Sequence, residues 1–163
     1  MNETVQALPS VYEWQAEQIE KMAKNVAYWV STTPEDKLSW VPKAEGHETA
    51  ARSIYDQIHE CCQVNRRFAN VLRGIENGAW IEQPPYKSSK EAEEDLKASA
   101  SELAKVIRSL DEEALNRDYP TGGRTMKGSF MISLALDNMS YHGGQINLIQ
   151  MLLGDGTFRF PDK

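Results

Sequence analysis

The sequence predicts an all-α fold: one four-helix bundle over residues 1–163, with a long connection between helices one and two. Three observations predict it. Four segments carry apolar residues at alternating spacings of three and four; Gly, Pro and polar clusters separate them; no strand-like alternation competes.

In helix one, Tyr12, Ala16, Ile19, Ala23, Val26 and Val30 make a core-facing stripe. Ser10 and Glu13 form a Ser-x-x-Glu capping box that satisfies two orphan amides at its start. Thr33-Pro34 ends it, and Pro34 suits the first position of a new turn over 34–37. The linker through Trp40, Pro42 and Gly46 is too irregular for a long element. Helix two is expected from Thr49 to Leu72, with Ala51, Ile54, Ile58, Cys61, Phe68 and Leu72 facing inward. Residues 76–86, with Gly78 and Pro84-Pro85, read as loop. Ser88 and Glu91 form a second capping box before the Leu96, Ala100, Leu103, Ile107, Leu110 stripe of helix three. Residues 116–124 make the last connection. Helix four runs from Thr125 or Lys127 to Leu153, where Gly154-Asp155-Gly156 stops it.

Composition narrows the function. Eighteen basic against 24 acidic side chains give a net charge of −6, with no basic stripe, so nucleic acid is not an expected partner. No apolar run is long enough to span a membrane, and MNETVQALPS lacks the pattern of a secretory leader, so the expected setting is cytoplasmic. The two cysteines, Cys61 and Cys62, are adjacent in one helix and cannot bridge each other there. They read as small buried hydrophobes in a reducing compartment. The four tryptophans, Trp14, Trp29, Trp40 and Trp80, read as packing residues, and Gly122-Gly123-Arg124 lacks the spacing of a phosphate loop.

Helix four holds the anomaly. Its stripe reads Met131, Ala135, Asn138, His142, Gln145, Ile149, Leu152, so three consecutive inward positions are polar. Burying such groups costs a few kcal/mol each (roughly) unless a network or a site compensates. Gly143 and Gly144 follow His142 in the helix interior, at about 1 kcal/mol each relative to Ala, which points to close approach by a neighbouring helix or a ligand. His59 lies at the same depth of helix two, on the flank of Tyr55 and Cys62, and is expected to meet His142. His47 lies too far along the chain to join them and reads as a surface or capping residue.

Tyr141-His142-Gly143-Gly144-Gln145-Ile146, followed by Leu152-Leu153-Gly154, resembles the His-x-Gly-Gln helix of the DinB/YfiT-like family of bacterial metalloenzymes. Trp40-Val41-Pro42 and the isolated His59 add weaker matches. The resemblance covers nearly the whole chain and implies a four-helix bundle, a homodimer, and a zinc or nickel site of three histidines. His59 would be the ligand on the second helix and His142 one of a His-x-x-x-His pair on the last. Residues four apart share one helical face and can grip one ion. The other member of the pair is Asn138, a neutral and harder donor, so the centre is a degenerate His/Asn/His set. Tyr55, Tyr141 and Gln145 are the expected pocket lining. Three functions stay open: a metal-dependent, thiol-using S-transferase acting on a low-molecular-weight thiol; a metal-free pocket for a small molecule; and a non-catalytic, stress-associated dimer.

Overall fold

Local sequence sets where each helix starts. Helix α1 spans Val11–Ser31, and its N-cap Ser10 accepts a hydrogen bond from the Glu13 amide. A single 3-10 turn, Glu35–Lys37, follows Pro34. Helix α2 spans Ile54–Leu72 behind a complete capping box, in which Ser53 accepts from the Asp56 amide and Asp56 accepts from the Ser53 amide. Helix α3 spans Ser89–Arg108 and α4 spans Gly128–Leu152. These come from a computed structural model that describes residues 10–43, 46, 52–75 and 83–159.

The expected bundle is present, with corrections at its edges. Helix α2 begins at Ile54, five residues later than expected, because Ser53-x-x-Asp56 is the start signal that the apolar stripe concealed; Thr49 and Ala51 lie outside the described residues. The boxes at Ser10 and Ser88 are only half made. The Glu13 carboxylate binds Arg108 instead of the Ser10 amide, and Glu91 accepts from the Lys87 amide. The connection before α4 is a short antiparallel hairpin, β1 (Asp118–Pro120) with β2 (Thr125–Lys127), closed by Gly122 and Gly123 at positive φ. Strands of three residues are too short to show alternation.

Side-chain pairs give the helix directions. Arg108 of α3 reaches Glu13 and Glu20 of α1, so these helices are antiparallel. Arg66 and Arg73 of α2 meet Asp95 and Glu102 of α3 in the same order, so α2 and α3 run parallel. Gln57 and Asn65 of α2 meet His142 and Met139 of α4 in reverse order, an antiparallel pair. Helix α1 packs on α3 and α4, and so does α2, which leaves α1 and α2 on a diagonal. The end of α1 and the start of α2 therefore lie at the same end of the bundle. The end of α2 and the start of α3 lie at opposite ends, since the two helices run parallel and α2 rises about 28 Å.

The core is aliphatic and continuous, with Ile19, Val26, Val30, Ile54, Ile58, Leu96, Leu103, Ile107, Met131, Met139 and Ile146 buried. On α4 the inward stripe is rotated from the expected one. Met139 and Ile146 are fully buried, Asn138 and Gln145 are half-buried at its margin, and Leu152 is exposed. Both cysteines are free and buried, as their adjacency implied.

Candidate functional site

The polar break in α4 opens on a cavity of about 550 Å³ between α2, α4 and the linker, lined by Pro42, Arg52, Gln57, Glu60, Tyr141, His142, Gln145 and apolar residues of the last α4 turns. His142 is 3% exposed. Its Nδ1 meets the side-chain oxygen of Gln57, and that of Gln145 at 3.0 Å. Both partners are amide oxygens, which only accept. Nδ1 therefore carries the proton and Nε2 holds a lone pair. That Nε2 is buried and, among the described residues, has no hydrogen-bond partner; 3.3 Å away lies the Glu60 carboxylate Oε1. The other oxygen of Glu60 is ion-paired with Arg52, whose side chain runs back along α2 from just before its N-cap.

The electrostatics favour a neutral ring. Burial lowers the His142 pKa below its ordinary 6.5; the Gln145 hydrogen bond raises it, and the Arg52 charge lowers it further. Two acceptors, a ring lone pair and a carboxylate oxygen, thus face each other at the cavity wall. The pair is incomplete by itself, and it suits a ligand group that donates a proton to both.

The predicted residues divide. His142, Gln145 and Tyr141 come together at the cavity, the Tyr141 ring standing edge-on to His142 at 5.2 Å between centroids. Asn138 is not part of that lining; its Oδ1 is buried and has no partner among the described residues. His59 does not join His142. It sits two residues from Gln57, which on a helix is a rotation of about 200°, and so faces α3 rather than α4. There its ring stacks on Tyr86 at 3.9 Å and 10°, and among the described residues neither of its nitrogens has a hydrogen-bond partner. Tyr55 stands on the same side, donating to Glu35 at 3.3 Å and packing on Tyr86. His47 and Trp80 lie outside the described residues.

Sequence reasoning missed Gln57, Glu60 and Arg52. The signal was available: Gln57 and Glu60 are three apart and share a face, and Gln57 borders the apolar residues Ile54, Ile58 and Cys61. The expected histidine, His59, lies on the other flank of α2, away from this cavity.

The donor set does not fit the three-ligand metal centre that the resemblance implies. Among the described residues no group of three His, Cys, Asp or Glu side chains is placed to hold an ion, and the guanidinium of Arg52 already neutralises Glu60. The glycines differ in what they do. A Cβ at Gly143 would come within 2.6 Å of the Trp29 ring, so this glycine lets α1 pack against α4, whereas Gly144 faces open space.

The model of the DinB family matches residues 1–159. The chain is similar in fold to a DinB-like protein of Bacillus subtilis at 16% identity, covering 90% of this chain and 96% of that one with a TM-score of 0.70. A DinB-like protein of Bacillus cereus matches at 13% identity, with 87% and 91% covered and a TM-score of 0.68. A conserved protein of Enterococcus faecalis matches at 11% identity, with 90% and 99% covered and a TM-score of 0.72. No curated protein matches significantly.

Proposed function

This chain belongs to the DinB family, and we propose that it binds a small molecule in the cavity between α2 and α4 and uses His142 there as a general base. The observation that carries this reading is the His142 Nε2: buried, lacking a partner, and presented to the cavity by a ring whose other nitrogen is held by two glutamines. A neutral imidazole with its tautomer set in this way accepts a proton from a bound X–H group. The proton taken up at Nε2 then faces the Glu60 carboxylate, which stabilises the imidazolium as it forms. The apolar residues Leu148, Ile149 and Leu152 on the same wall accommodate an uncharged carbon frame.

The S-transferase reading is compatible with this base. A small thiol gives its S–H proton to Nε2, the sulfur forms a bond to an electrophilic carbon, and the leaving group departs with its electron pair. No metal is needed for that sequence, and none is assigned to it.

The test is conjugation of L-cysteine or a comparable small thiol to a fluorogenic alkyl bromide, followed against pH. Wild-type protein is expected to exceed the buffer rate, with activity lost only as pH falls through the His142 pKa, which burial holds below its ordinary value, and the base becomes protonated. His142→Ala is expected to return to the buffer rate. Equal rates for the two proteins would overturn the base role. A homodimer, expected from the resemblance, is tested separately by light scattering.

A further inference from the structure

The base role leaves part of the cavity wall unused. Arg52 and Glu60 are the charged residues of the lining. A guanidinium carries five N–H donors in a planar fork. The ion pair with Glu60 engages Nη1, while the edge formed by Nε and Nη2 has no ion pair or hydrogen bond among the described residues. The Arg52 side chain is 51% exposed. Gln57 and Gln145 both commit their side-chain oxygens to Nδ1 of His142. What each has left for the cavity that both of them line is its –NH2 group, which only donates. The lining thus combines donors from three side chains, an acceptor lone pair at His142 Nε2, and the apolar Leu148, Ile149 and Leu152.

We propose that the ligand of this cavity is a small carboxylic acid: its carboxylate binds Arg52 and the two glutamine –NH2 groups, and an X–H group near that carboxylate meets His142 Nε2. The inference deepens the binding reading above and rests on it. Head groups of other charge fit less well. An ammonium group meets a carboxylate, Glu60, whose charge Arg52 already compensates, and is repelled by the guanidinium beside it. A neutral amide accepts from the same donors, but without the added strength of a charge-assisted, bidentate pair. Glu60 does not cancel the preference for an anion. A carboxylate on the Nε–Nη2 edge is nearer to the guanidinium than to Glu60 on the Nη1 side, so attraction exceeds repulsion. Glu60 also holds the fork in place, which reduces the ordering cost when a ligand binds. Arg52 is separable from the fold, since it precedes the α2 N-cap and Ser53 and Asp56 cap the helix without it. It is therefore the specificity-determining residue of the cavity.

The test uses three probes with one branched carbon frame and different head groups: isovalerate, isovaleramide and isopentylamine, the last protonated at neutral pH. Each is titrated into the protein and followed by nitrogen–proton NMR, with the side-chain –NH2 signals of Gln57 and Gln145 locating the probe in the cavity. Isovalerate is expected to bind about tenfold more tightly than isovaleramide, the difference between charge-assisted and neutral hydrogen bonds. Isopentylamine is expected to bind most weakly. Arg52→Met is expected to bring isovalerate down to the affinity of isovaleramide, and Arg52→Lys, which keeps the charge and loses the fork, to fall between. Equal or tighter binding of the amide or the amine by wild type would overturn the carboxylate assignment while leaving the cavity as a binding site. A preference for isovalerate that survives in Arg52→Met would overturn the role of Arg52. If none of the three probes shifts the glutamine signals, the assignment and the cavity reading fall together. The base role is read separately, by the conjugation rate of His142→Ala. Circular dichroism spectra matching wild type confirm that each variant is folded, and the ranking in wild type needs no variant.

Discussion

Two histidines lie against helix α2, and the bundle treats them in opposite ways. His142, reaching in from α4, is hydrogen-bonded at Nδ1 by two glutamines and presents Nε2 to a cavity. His59, on α2 itself, faces α3 and lies flat on Tyr86 with neither nitrogen bonded. Around it the polar groups are already paired with one another. Tyr86 donates to Asp95 at 2.6 Å, and Asp95 is ion-paired with Arg66. Burial pushes the neighbouring Cys62 thiol up to about 12, so it is no nucleophile near neutral pH. A histidine held on one side and open on the other is equipped to move a proton. One that is stacked and unbonded is a packing plate.

The sharpest way to break this comparison is to replace each ring by phenylalanine. His142→Phe removes the donor facing Gln57 and is expected to destabilise by about 2 kcal/mol, since a buried amide oxygen is left unpaired. His59→Phe keeps the stack on Tyr86 and deletes two buried nitrogens that bond to nothing. It is expected to stabilise by about 1 kcal/mol. Urea denaturation measures both. Shifts of the same sign would mean that the two environments are energetically alike, and the distinction would fail.

Adjacent glycines beside His142 offer a second, smaller contrast within α4. Gly143→Ala drives a methyl group into the Trp29 ring and is expected to cost about 1–2 kcal/mol, overpacking outweighing the gain in helix propensity. Gly144→Ala meets nothing and is expected to stabilise by up to about 1 kcal/mol. A stabilising Gly143→Ala would show that α1 gives way easily at Trp29, and that this glycine is not what sets the approach of α1 to α4.

What was legible in the sequence follows from the range of each interaction. The bundle was readable because helix periodicity and caps are local: Ser10, Pro34 and Gly154 stand where the helices begin and end. The position of His142 was readable too, as a polar break in an apolar stripe. Its partners were not. Whether α4 packs on the Gln57–Glu60 face of α2 or on the His59–Cys62 face is decided by the diagonal arrangement of α1 and α2, which no single helix encodes. The long reach of Arg52 to Glu60 was equally hidden, because the expected helix start at Thr49 would have placed Arg52 inside α2 rather than before its cap.

The smallest expected effect is the dependence of stability on pH, and it separates the two histidines by their surroundings. Burial is the leading cause that lowers both pKa values below 6.5. The unfolded chain then takes up protons at a higher pH than the folded one, so stability is full above about 6.5 and falls as pH drops toward the folded values. For His59 the carboxylates of Asp95, Asp56 and Glu91 oppose the shift, and Arg66, paired with Asp95, offsets part of that opposition. For His142 the charge of Arg52 reinforces the shift and the Gln145 hydrogen bond opposes it. His142 is the more deeply buried ring, although the Glu60 carboxylate beside its Nε2 favours the charged form; on burial, the leading cause for both, His142→Phe should flatten the stability curve between pH 6.5 and 5 more than His59→Phe does. Thermal melts across that window read the two slopes. A larger flattening from His59→Phe would mean that the Asp95 cluster, not the cavity, holds the more strongly neutral ring.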